Sequence, residues 1–74
     1  MVETSMDLRG LKCPLPALRT RKSLASLLPG DILVVECTDP MAAVDIPNLA
    51  RETGDEVIEV IRAEDRLIFR ICRK

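Results

Sequence analysis

The sequence predicts an α/β fold of the α+β kind: a two-layer sandwich of order β-α-β-α-β-β. Its four-stranded mixed sheet should carry both helices on one face. Three observations predict it. Apolar strand-like runs, such as Ile32-Leu33-Val34-Val35, alternate with two longer stretches of helical spacing. Proline and glycine stand at the joints, at Gly10, Pro14, Pro29-Gly30, Pro40 and Gly54. The chain closes with two strand-like segments separated only by the tight turn Glu64-Asp65. At 74 residues, one domain over 1–74 is the expected organisation.

Residues 1–5 read as a flexible N-terminal tail, and Met6 to Arg9 as a short first strand ended by Gly10. The first helix follows the turn at Cys13 and runs to about Leu28. Leu15, Leu18, Ala25 and Leu28, with Leu24 beside them, form its expected apolar face. Arg19, Lys22, Ser23 and Ser26 fall mainly on the other side. Pro29-Gly30 stops the helix. Ile32 to Val35 is β-branched and continuously apolar, as a central strand would be, and Cys37 ends it. Asp39 can then cap a second helix with Pro40 at its first position. That helix should reach about Thr53, with Gly54 just beyond. Pro47 either kinks it or marks its true start. Val57 to Ala63 and Arg66 to Arg73 are the last strands. Leu67, Phe69 and Ile71 are the core-facing set, and Ile68 faces the other, partly exposed side.

Chemistry concentrates at Cys13-Pro14-Leu15-Pro16. One thiol stands at or next to a helix N-cap, where unpaired amides and the helix dipole favour an anion. Pro14 suits the first helical position, and Pro16 the third, because neither needs an N–H there. The amides of Leu15 and Ala17 stay free to face a sulfur anion. A lowered pKa and a reactive thiolate are therefore expected at Cys13.

The net charge of −1 hides an uneven distribution. Residues 9–22 carry Arg9, Lys12, Arg19, Arg21 and Lys22 with no acid. Residues 31–65 carry ten acids against Arg51 and Arg62. The cations near Cys13 read either as a solvated helix face or as a set that stabilises the thiolate and steers an acidic partner or RNA. Phe69 is the only aromatic residue, so no stacking platform for single-stranded nucleic acid is available, and direct nucleic-acid binding is not expected. No stretch reaches transmembrane length, and the N-terminus lacks signal-peptide features, so a soluble cytoplasmic chain without membrane contact is expected. The cysteines at 13, 37 and 72 form no Cys-x-x-Cys pair, and histidine is absent. Neither a metal site nor a cofactor is expected. Cys37 and Cys72 read as structural thiols.

The chain resembles the small TusA-type, or SirA-like, sulfur-carrier proteins over nearly its whole length. The resemblance rests on Asp7-Leu8-Arg9-Gly10-Leu11-Lys12-Cys13-Pro14-Leu15-Pro16, then Pro29-Gly30-Asp31, Thr38-Asp39-Pro40 and Asp45-Ile46-Pro47. It implies a β-α-β-α-β-β sandwich and a persulfide formed on Cys13. It also implies a cysteine desulfurase or other sulfur donor, and a downstream acceptor protein. The pathways it implies are tRNA 2-thiouridine formation, molybdenum cofactor assembly or sulfur oxidation. Members that thiolate tRNA often carry an acid between the two prolines, where this chain has Leu15. Lys12, Arg19, Arg21, Lys22, Asp39 and Asp45 are candidate partner contacts, with simple capping as the plainer role of Asp39. A carrier that depends on partner enzymes is the leading expectation. The alternatives are a non-catalytic module that binds RNA or a regulator through the basic first helix, and a single-cysteine redox sensor.

Overall fold

A computed structural model describes residues 2–74. The elements run β1 (Glu3–Leu8), α1 (Leu15–Ala25), β2 (Ile32–Cys37), α2 (Ala42–Thr53), β3 (Glu56–Arg62) and β4 (Leu67–Cys72). The sheet order is β1-β2-β4-β3. β2 pairs in parallel with β1 and antiparallel with β4, and β3 pairs antiparallel with β4. The fold is the expected two-helix, four-stranded mixed sandwich.

β1 starts earlier than the sequence suggests. Glu3, Thr4 and Ser5 lie opposite Ile32, Leu33 and Val34, so residues 3–5 form part of a strand rather than a tail. Pairing with the rigid central strand outweighs the weak strand propensity of this polar stretch. The Val2 amide is held by Asp31, whose side chain also accepts the amide of Leu28. Met1 lies outside the described residues.

The core is built from alternate residues of β1, β2 and β4: Leu8, Leu33, Val35, Cys37, Phe69 and Ile71, with Leu24, Ala42 and Ile46 from the helices. Leu67 packs against this cluster from its margin. The stripe that α1 buries is not the expected one. Pro16, Thr20 and Leu24 face the core, while Leu15, Leu18 and Leu28 are exposed. A threonine is tolerated there because its hydroxyl donates to the Pro16 carbonyl at 2.7 Å, which leaves no unpaired polar atom. Leucine spacing alone pointed to the wrong face.

α1 ends at Ala25, about three residues before the predicted stop. Pro47 sits inside α2 and does not begin it. Gly54 takes the left-handed conformation at the C-terminal end of α2, as its position predicted. Asp55 N–H then donates back to Ala50 at 2.8 Å. On the open sheet face Ile68 is half-buried, and Arg70 bridges Glu3 and Glu59 at 3.3 Å each.

Candidate functional site at the ends of two parallel strands

Because β1 and β2 are parallel neighbours, with Leu8 opposite Cys37, their following segments leave the sheet side by side. In α/β folds this carboxyl edge is where ligands and chemistry gather. Three hydrogen bonds tie the segments together. Gly10 N–H donates to the Thr38 hydroxyl at 2.9 Å, and Cys13 N–H donates to Asp39 Oδ2 at 2.5 Å. The Cys13 thiol donates to Asp45 Oδ2 at 2.9 Å. Gly10 holds a φ of 84°, a conformation that glycine adopts without strain.

Cys13 is exposed at the mouth of a cleft between α1 and α2 of about 280 Å³. Pro14, Ala17, Leu18 and Leu49 give it an apolar lining, and Arg21, Asp45, Asn48 and Glu52 supply the polar groups. Arg21 and Glu52 stand 3.9 Å apart across it.

The helix begins one residue later than the motif suggested. Pro14 occupies the cap position, Leu15 is the first helical residue and Pro16 the second. The Leu15 amide is already bonded to the Lys12 carbonyl at 2.8 Å, so it is not free to face the sulfur. The electrostatics also reverse the expectation. The Cys13 pKa is raised, first by its hydrogen bond to Asp45, then by partial loss of solvent, then by the charges of Asp45 and Asp39. The cations counted in sequence do not offset this. Arg21 faces Glu52, Arg9 is paired with Asp7 at 3.0 Å, and Arg19 and Lys22 do not line the cleft. Lys12 acts on Asp39 instead.

Asp39 is not the α2 N-cap. Its Oδ1 accepts the Met41 amide at 3.0 Å in a turn ahead of the helix, and these backbone hydrogen bonds hold its carboxyl below the usual range. Asp45, in the first turn of α2, was a candidate partner contact; here it touches the sulfur itself. Thr38, Asn48 and Leu49 are not among the contacts the sequence proposes for the site. The parallel pairing of β1 and β2 is the signal that would have found them. Among the described residues no cluster of acids and cysteines is arranged to hold a metal ion, and no helix is long and apolar enough to cross a membrane.

A family model described as sulfurtransferase TusA matches residues 4–73. The chain belongs to the TusA family. The sulfur carrier protein TusA of Allochromatium vinosum is 40% identical over 57 residues, 77% of this chain and 75% of that one. A Neisseria meningitidis serogroup A protein, whose assigned name proposes sulfur carriage, is 42% identical over 59 residues, 80% of each chain. The crystal structure of a SirA-like protein from Desulfitobacterium hafniense has the same fold. Its TM-score is 0.82 at 22% identity, covering 93% of this chain and 95% of that one. The TusA match thus spans both strand-end segments and the motif cysteine.

Proposed function

We propose that the chain is a sulfur carrier: Cys13 accepts a sulfane sulfur as a persulfide and passes it to an acceptor protein. One observation carries this reading beyond family membership. Of the three cysteines only Cys13 is exposed. Cys37 is buried, and burial pushes its thiol up to about 11, so it is inert at neutral pH. Cys72 is half-buried on the open sheet face.

Sulfur enters from a persulfide on a donor, such as a cysteine desulfurase, and leaves to a downstream protein. Formation of tRNA 2-thiouridine, molybdenum cofactor assembly and related sulfur trafficking are the fitting destinations. The chain acts with partner enzymes and is not a self-sufficient catalyst. Exposed Leu18 lines the cleft beside the thiol, and exposed Leu15 on α1 and Met41 and Val44 at the start of α2 add further apolar surface for partners. We infer a cytoplasmic location, where thiols stay reduced. A peroxide sensor is disfavoured because oxidation follows thiolate character, and a carboxylate holds this thiol protonated. The basic-helix module is disfavoured because Arg21 faces Glu52 across the cleft.

The test is the intact mass of the chain after incubation with a cysteine desulfurase and cysteine. One reducible sulfur atom should be gained, and none by Cys13→Ser. Equal gain by that variant would refute the reading.

A further inference from the structure

We propose that Asp45 is a second catalytic residue of the transfer site: it takes the Cys13 proton as the sulfur attacks and returns it to the donor's leaving sulfur. The proposal rests on the reading of Cys13 as the sulfur-bearing residue. It starts from one contact, the 2.9 Å approach of the thiol to Asp45 Oδ2. A carboxylate at that distance needs no movement to receive the proton.

The surroundings leave Asp45 as the group best placed for the task. From the segment after β1, Lys12 carries a cation that acts on Asp39. From the segment after β2, Asp39 is engaged by the amides of Cys13 and Met41. From α1, Arg21 faces Glu52 of α2. Asn48 lines the cleft but has no basic site. Histidine is absent from the chain. A bare thiolate at this place would face two carboxylates, so keeping the proton until the moment of attack is the lower-energy course.

The step balances without an oxidant. Cys13 Sγ attacks the outer sulfur of the donor persulfide, and a new S–S bond forms on Cys13 as the donor's S–S bond breaks. The thiol proton moves to Asp45 and then to the donor's departing thiolate. The outer sulfur keeps its own proton. The products are a donor thiol and a Cys13 persulfide.

The experiment compares the full chain with Asp45→Asn and Asp45→Glu. Two rates are read: alkylation of Cys13 by iodoacetamide across the neutral pH range, and sulfur uptake from a cysteine desulfurase at saturating concentration with cysteine. Asp45→Asn should alkylate faster at neutral pH, because removing the charge favours the thiolate. It should nevertheless take up sulfur at least about tenfold more slowly, at the modest end of what a positioned base supplies. Asp45→Glu should recover part of the uptake. A merely structural role would move both rates together. Uptake by Asp45→Asn at or above the wild-type rate, or a deficit that vanishes at saturating donor, overturns the role of Asp45 alone. Failure of the wild-type chain to load at all overturns the carrier reading as well.

Discussion

The backbone amide of Cys13 donates to Asp39 Oδ2 across 2.5 Å, which fastens the segment after β1 to the segment after β2. The second oxygen of the same carboxylate accepts the Met41 amide. Asp39 is thus a clamp between two loops, and the thiol it steadies belongs to the residue it holds. Asp39→Ala should free the Cys13 amide while leaving the sheet intact. Hydrogen exchange at Cys13 should quicken on the order of tenfold, with β2 and β4 unchanged. Unaltered exchange at Cys13 would show that the clamp does not restrain the loop.

The thiol titrates in a direction opposite to that of a helix-stabilised cysteine. Its pKa is raised by Asp45, so the neutral form is favoured in the folded chain. Its alkylation rate should climb with a midpoint above that of an ordinary cysteine, about 8.5. A midpoint below that value would restore the helix-end argument and remove Asp45 from the sulfur.

Asp55 offers a second pH dependence, one of stability. Its carboxylate is fully screened from solvent, and it accepts Thr53 Oγ1 at 2.7 Å, Lys74 N at 3.0 Å and Arg73 Nη1 at 3.2 Å. Burial alone would raise its pKa, but the hydrogen bonds from Thr53, Lys74 and Arg73 outweigh it and lower the value. A lowered folded-state pKa means that the stabilisation is present above the unfolded value of about 3.9 and is lost as pH falls through the folded one. Asp55→Ala should cost about 2–3 kcal/mol at neutral pH. Denaturant titrations at pH 7 and below pH 4 should show that cost shrinking with acid.

The two faces of α1 should respond differently to truncation. Leu24 is 1% exposed and Leu18 is 53% exposed. Leu24→Ala should destabilise by about 2–4 kcal/mol, and Leu18→Ala by no more than about 0.5 kcal/mol. Leu18 lines the cleft beside Cys13, so its loss should instead weaken sulfur uptake from the donor at limiting concentration. Chemical unfolding and a donor titration separate the two.

Much of this was legible in the chain. The β-α-β-α-β-β order, the glycine ending α2 and the place of Cys13 just ahead of α1 follow from local chemistry: periodicity, proline, and glycine at positive φ. What local chemistry could not supply was the partner of the sulfur. Asp45 lies 32 residues from Cys13, and only the parallel register of β1 on β2 brings them together. The α1 face failed for a related reason. Leu15 and Leu18 obey helical spacing but face outward, Leu18 into the cleft beside the thiol, while Thr20 enters the core under cover of a bond to Pro16. The surplus of cations before β2 likewise said nothing of geometry, because Arg9 and Arg21 each face an acid.

The most direct measurement locates the added sulfur. The chain is loaded with a cysteine desulfurase and cysteine, then digested with trypsin without reductant. The peptide Cys13–Arg19 contains one cysteine, and the extra sulfur atom should reside there. Recovery of that sulfur on the peptides bearing Cys37 or Cys72, or on none, would contradict the account.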